Sequence, residues 1–213
     1  IDRFEIRSGI DDIPMDPPIQ PYRDDFDGPK LAESWILRDE SPEAQIGFEN
    51  GFYELRDPST SASDVGLRHA IEGKGGSFTS DFGFTFDGFS GSATDFKFRF
   101  FGGKFIEFVY NSFDDLRVYS QERGENVSKI QKVGINDGDA VKIRFIWNEI
   151  SSEVIIGLSI RDEPMKEIAK ISGLKEFTPE IVDFIMFKWV IYFAVKVKPY
   201  NININSRKNY SNI

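Results

Sequence analysis

The chain has 213 residues, 21 of them Phe, no Cys, and a net charge of -9 at neutral pH. A single β domain of this size buries a substantial core without disulfides, and the phenylalanines point to an aromatic interior. The missing cysteines exclude thiol chemistry and zinc-thiolate sites, and the acidic balance argues against a nucleic-acid partner.

No apolar run approaches the roughly 18 residues of a membrane span. The start, Ile1-Asp2-Arg3, has neither a basic stretch nor an apolar middle, so it reads as a processed product or excised fragment. Residues 1–21 hold four prolines within eight positions (Pro14, Pro17, Pro18 and Pro21). This composition predicts an extended arm or linker, with Arg3–Arg7 as a short strand able to pair within the domain or with a second copy.

From Asp24 the pattern changes. Phe26 is followed by the Gly28-Pro29 turn, then by Leu31 and a short apolar strand, Trp35-Ile36-Leu37. Ala44–Phe48 and Phe52–Leu55 flank Asn50-Gly51, the pair that best tolerates a primed turn, and so predict a hairpin. Val65–Ile71 is the next strand and carries the sole histidine, His69, which beside Arg68 reads as a surface residue. Gly73 to Gly76 is a turn, since it lacks the spacing and following helix of a phosphate loop. Ser77–Phe86 alternates through Phe78, Phe82, Phe84 and Phe86, as a half-buried strand does.

Asp95–Phe101 sets Phe96, Phe98 and Phe100 against Lys97 and Arg99. Lys104–Tyr110 separates Ile106, Phe108 and Tyr110 from Phe105, Glu107 and Val109, and Gly102-Gly103 predicts a two-residue turn between the two runs. Leu116–Ser120 places Arg117 and Tyr119 on its polar face, and Asn126–Val133 follows as a strand. Val141–Trp147 and Glu153–Arg161 form an antiparallel pair with Lys142 and Arg144 on the polar side. Met165–Ile171 is a short strand, and Leu174–Ile181 is the one candidate for a short helix. Asp183–Val197 is two core strands bent near Lys188, and Tyr200–Ile204 is a last strand before a loose polar tail, 205–213. Some dozen strands with at most one short helix predict an all-β, two-sheet antiparallel sandwich over 22–204.

Asp25, Phe26, Gly28, Leu31 and Trp35, followed by Asn50-Gly51 and Leu55, resemble the opening strands of concanavalin A-like (laminin G-like) jelly rolls. The run from Asp137-Gly138 through Val141, Ile143 and Phe145 is similar to a middle strand of their back sheet. The resemblance implies a jelly roll used by lectins, carbohydrate-binding modules, glycosidases, polysaccharide lyases and adhesive domains, so function rests on the site. It implies a structural Ca²⁺ beside the first strand, held by an acid of the entry (Asp24 and Asp25 match), a backbone carbonyl and an acid of the last strand, where Tyr200-Asn201-Ile202-Asn203 offers amides instead. Glycosidases on this fold carry Glu-x-Asp-x-Glu on one strand, which does not occur here, and the Gln-x-His and Tyr-x-Lys contexts of the lyases are missing too.

Lys97, Arg99, Glu107, Arg117 and Tyr119 are the candidate carbohydrate-binding residues. On neighbouring strands they would make a cationic-aromatic stripe in an acidic protein, suited to an anionic glycan. The expected function is a non-catalytic carbohydrate-binding or adhesive domain, extracellular or on the cell surface, with a glycan or polysaccharide partner. The alternatives are a structural subunit that self-associates into a filament or lattice through its terminal arms, and a glycoside hydrolase or lyase with an unrecognised site. Asn126-Val127-Ser128 and Asn209-Tyr210-Ser211 are N-glycosylation sequons.

Overall fold

The computed structural model describes residues 22–24, 33–39, 45–49, 52–56, 63–71, 76–87, 94–188 and 196–206. The Pro-rich arm, Asp25, the Asn50-Gly51 turn and the end of the polar tail lie outside them. Among the described residues fourteen strands follow one another: β1 Tyr22–Asp24, β2 Trp35–Asp39, β3 Gln45–Glu49, β4 Phe52–Arg56, β5 Ser63–Ala70, β6 Phe78–Asp87 and β7 Thr94–Asn111, then β8 Asp115–Ser120, β9 Glu125–Gln131, β10 Val141–Asn148, β11 Glu153–Ile160, β12 Lys166–Ser172, β13 Phe177–Lys188 and β14 Lys196–Ser206. No helix occurs among the described residues.

The strands form two antiparallel sheets. One runs β12-β11-β10-β6-β14-β4-β3, with β1 also on β14, and the other runs β2-β5-β13-β7-β8-β9. The period-two pattern explains the core between them. Phe78, Phe82, Phe84 and Phe86 of β6 and Val141, Ile143, Phe145 and Trp147 of β10 turn inward from the first sheet. Phe96, Phe98, Phe100, Val182 and Phe184 turn inward from the second. Rings interlock across the gap: Phe100 stacks on Phe145 at 3.7 Å, and Phe82 meets Phe98 at 3.9 Å between centroids. Each such side chain contributes about 1.5–3 kcal/mol by leaving water. The hairpin predicted around Asn50-Gly51 is present, with Glu49 opposite Phe52 and Ile46 opposite Leu55.

β7 doubles back within its own span. Phe86 touches both Phe96 and Tyr110, which on a straight strand would stand about 46 Å apart. The first arm borders β13, and the second, from Ile106, borders β8. The turn differs from the expected two-residue form. A turn of Gly102 and Gly103 alone would set Phe98 opposite Glu107 and send Ile106, Phe108 and Tyr110 away from the core. Instead all three are buried with Phe96, Phe98 and Phe100, and Arg99 meets Glu107. The bend therefore takes in Lys104 as well, with Gly103 in the left-handed region at φ 65°.

Leu174–Ile181 is not helical. β13 begins at Phe177 and runs through Pro179, pairing with β7 and β5. Proline removes a helical hydrogen bond and clashes with the preceding turn, and two waiting strand neighbours decide the segment. β13 is described as far as Lys188, so the bend expected there lies outside the described residues, and β14 is longer than the Tyr200–Ile204 strand, reaching Ser206 opposite Phe78.

Candidate functional site: the outer face of the six-stranded sheet

The residues between the core positions form a transverse row on the outer face. Ile36 of β2 lies opposite Arg68 of β5, and Arg68 lies opposite Asp183 of β13. Asp183 lies opposite Arg99 on the first arm of β7. Glu107, on the second arm, lies opposite Tyr119 of β8, which faces Asn126 of β9. Asp183 has no solvent exposure, and its two oxygens accept bonds of 2.6 and 2.7 Å from Arg68. Arg99 donates to Glu107 at 2.5 Å. A buried carboxylate is tolerated when a guanidinium meets it in this way, and the result is a stiff ladder of alternating sign.

Aromatic rings flank the ladder. The Arg99 guanidinium lies 5.2 Å from the centre of Phe101 and 4.8 Å from that of Phe105, and Phe105 packs against Tyr119 at 5.8 Å. Phe101, Phe105 and Tyr119 are all half-buried. Such contacts orient a cation over a ring and leave aromatic edge at the surface.

A second row runs alongside. Lys97 lies opposite Ile185, and Arg117 lies opposite both Val109 and Lys129. Val109 and Ile185 are 2% and 1% exposed yet lie outside the main core cluster, so this face has its own small apolar floor. Towards the β8–β9 edge a cavity of about 500 Å³ opens, lined by Asn111, Asp115, Arg117, Lys129 and Gln131.

The loop beside this cavity is held by Asp114. It accepts from the backbone N–H groups of Gly134 and Ile135 and from the Tyr110 hydroxyl. Burial, then the bond to Asp114, raises the Tyr110 phenol well above its ordinary value. The neutral phenol is therefore favoured in the fold. Its contribution is fully present below the unfolded value of about 10 and is lost as pH rises through the folded one. Tyr110→Phe should cost about 1 kcal/mol at neutral pH, and the gap to the parent should narrow above about pH 10. Urea unfolding between neutral and strongly alkaline pH measures this, and a gap that stays constant contradicts it.

The five candidate residues Lys97, Arg99, Glu107, Arg117 and Tyr119 share this outer face. Within this set Arg99 pairs with Glu107, and Lys97 and Arg117 are its other cations. Lys142 and Arg144 sit on the other sheet, paired with Asp162 and Asp81. His69 is not a surface residue. It is 3% exposed, packed at 4.0 Å on Tyr22 and 5.0 Å on Trp35, with Nδ1 3.2 Å from the Ser34 carbonyl oxygen. It shares the inward phase of Leu67 and Ile71, whereas its neighbour Arg68 takes the outward one.

Asp24 lies on β1 opposite Ile202, and its metal partner Asp25 is outside the described residues. Ile202 supplies no side-chain oxygen to a cation that wants six to eight. Among the described residues no group of three His, Cys, Asp or Glu converges on a metal position. Asp183 and Arg68 were not among the candidates. Their signal was present in Asp183, the lone charge within the apolar run Ile181–Phe187, where a carboxylate needs a partner.

Solved structures match this two-sheet arrangement along nearly the whole chain. Lectin I-B4 from Griffonia simplicifolia, in metal-free form, superposes with a TM-score of 0.63 at 10% identity, covering 89% of this chain and 100% of its own. Lectin I from Ulex europaeus, in complex with the methyl glycoside of alpha-L-fucose, gives 0.62 at 12% identity, over 90% of this chain and 98% of its own. The carbohydrate recognition domain of Emp47p gives 0.59 at 11% identity, over 91% and 95%. The fold is the concanavalin A-like lectin jelly roll. No family profile and no curated protein sequence matches the chain. At these identities the likeness concerns the jelly roll and not the residues of any sugar site.

On this jelly roll the outer face carries three buried acids, Asp95, Asp183 and Glu107. Asp183 and Glu107 are each engaged by a guanidinium. The arrangement suits binding. It offers fixed donors and aromatic surface on rigid strands, which is what lowers the cost of holding a ligand.

Proposed function

We propose that this jelly roll is a non-catalytic carbohydrate-binding domain acting outside the cell or at its surface, and that the glycan lies on the outer face of the six-stranded sheet. The observation that carries the reading is the ladder Arg68–Asp183–Arg99–Glu107 running into Tyr119 and Phe105. A sugar needs an aromatic surface for its C–H face and fixed polar groups for its hydroxyls. Here Tyr119 and Phe105 supply the first, and the N–H groups of Arg99 beyond those given to Glu107 supply the second. The lectin neighbours share the fold and support the class of ligand.

A glycan array on the whole chain, with and without added Ca²⁺, is the test. Saturable binding to one glycan class is expected, weakened at least about tenfold by Tyr119→Ala. Binding to no glycan, or equal binding by the variant, overturns the proposal. Concentration-dependent polymers without glycan binding would point to the self-assembling subunit instead.

A further inference from the structure

Arg117 and Lys129 are directly opposite one another on β8 and β9, and both are exposed. Like charges in register across an antiparallel pair repel, and sheets ordinarily avoid the arrangement. Many other described surface cations meet acids, among them Lys142 with Asp162, Arg144 with Asp81, Arg161 with Asp139, Lys166 with Glu163 and Lys170 with Glu153, although Lys132 and Lys175 do not. Arg117 and Lys129 form no ion pair with any described residue, although the chain carries a net charge of -9. Both line the cavity of about 500 Å³ at the β8–β9 edge.

A third donor is set by the loop at the cavity's end. The Oδ1 of Asn111 accepts from the backbone N–H groups of Phe113 and Asp115, each at 3.0 Å. That fixes which way the amide is turned and leaves Nδ2, a donor, on its free side. Gln131, opposite Asp115, adds a neutral amide at the rim. Two cations without an ion pair and an oriented amide donor, set against the single carboxylate of Asp115, leave the cavity lining net positive and make a place for an anion. Binding one would turn the repulsion between Arg117 and Lys129 into shared attraction.

Resting on the glycan reading above, we infer that the β8–β9 cavity is the subsite for the acidic group of the glycan, a carboxylate or a sulfate. Arg117 and Lys129 hold the charge, and Asn111 directs one hydrogen bond to an anionic oxygen. Glu107 lies opposite Tyr119 two positions along β8 from Arg117, so a saccharide on the Tyr119–Phe105 surface can extend an acidic residue into the cavity.

The test compares three probes on the whole chain: a galacturonate oligosaccharide, a sulfated galactan oligosaccharide and its desulfated form. Inorganic sulfate alone is a fourth probe. At fixed ionic strength, one of the two acidic oligosaccharides is expected to bind more tightly than the neutral one. Arg117→Ala and Lys129→Ala should each weaken that binding roughly 10–100-fold, and Lys129→Ala should leave the neutral oligosaccharide's affinity unchanged. Whichever acidic probe wins separates carboxylate from sulfate. Lys142→Ala, which removes the same charge from the other sheet, should change nothing. Equal affinity for acidic and neutral probes overturns the subsite and leaves the glycan reading standing, as does equal loss in Lys142→Ala. Conversely, sulfate that raises the melting temperature of the parent but not of Lys129→Ala, with no oligosaccharide bound, supports the anion subsite and sinks the glycan reading. Melting temperatures of the variants within a few degrees of the parent show that they fold, since both residues are exposed.

Discussion

Gly102→Ala should abolish the stable fold, at a cost beyond about 4 kcal/mol, which is exceptional for one methyl group. A Cβ built on Gly102 would stand 1.2 Å from the carbonyl oxygen of Thr178 and 2.2 Å from its carbonyl carbon. Both obstacles are backbone, at the point where β13 begins and crosses the β7 bend, so no side chain can swing away. Relief requires separating β13 from β7, and β13 is the strand that carries Asp183 between Arg68 and Arg99. Gly138 makes the control. It has φ 83° with nothing near its Cβ position, so Gly138→Ala should cost only the left-handed penalty of about 1–2 kcal/mol. Urea unfolding of the two variants separates collision from backbone strain. A Gly102→Ala protein as stable as Gly138→Ala would mean that the bend and β13 do not cross this closely.

The second large effect lies in the core. Phe100→Ala should destabilise by about 3–5 kcal/mol, the transfer term for the ring plus the cavity left by it. Phe100 is stacked on Phe145 at 3.7 Å and also touches Phe78, Phe82 and Phe98 at 5.7–6.2 Å, so it joins both sheets. The surrounding rings are rigid and each already has several partners, which limits collapse into the hole. Phe113, 72% exposed in the loop after β7, provides the contrast, since Phe113→Ala should stay within about 0.5 kcal/mol. Comparable melting curves for the two would show that the aromatic layer does not behave as one packed core.

Both variants act on features that differed in legibility. Alternation in Phe78–Phe86, Phe96–Phe100 and Val141–Trp147 marks which residues face inward, because a strand has a period of two and one buried face. The phase also held a clue to the β7 bend. Phe96, Phe98 and Phe100 share even spacing with Ile106, Phe108 and Tyr110, and an antiparallel pair keeps both trios inward only if the turn has an odd number of residues. The Gly-Gly pair suggested two residues, and packing required three. The Leu174–Ile181 segment failed for a related reason. Its local composition allowed a helix, but Phe177 and Ile181 are held by strands some seventy to a hundred and ten residues earlier in the chain.

What the sequence determined alone was the all-β class, the inward face of most strands, the Asn50-Gly51 hairpin and the placement of Lys97, Arg99, Glu107, Arg117 and Tyr119 on outward positions. Each of these follows from local chemistry: side-chain alternation, turn residues and apolar spacing. Only the tertiary structure decided which outward residues are neighbours. Arg68 and Asp183 lie 115 positions apart and meet because β5 and β13 are adjacent. Arg117 and Lys129 repel because β8 and β9 pair in one register rather than the next. Period two tells a strand which face is outward and says nothing of what stands beside it, so a charge ladder or a cation cavity exists only once the sheet order is set.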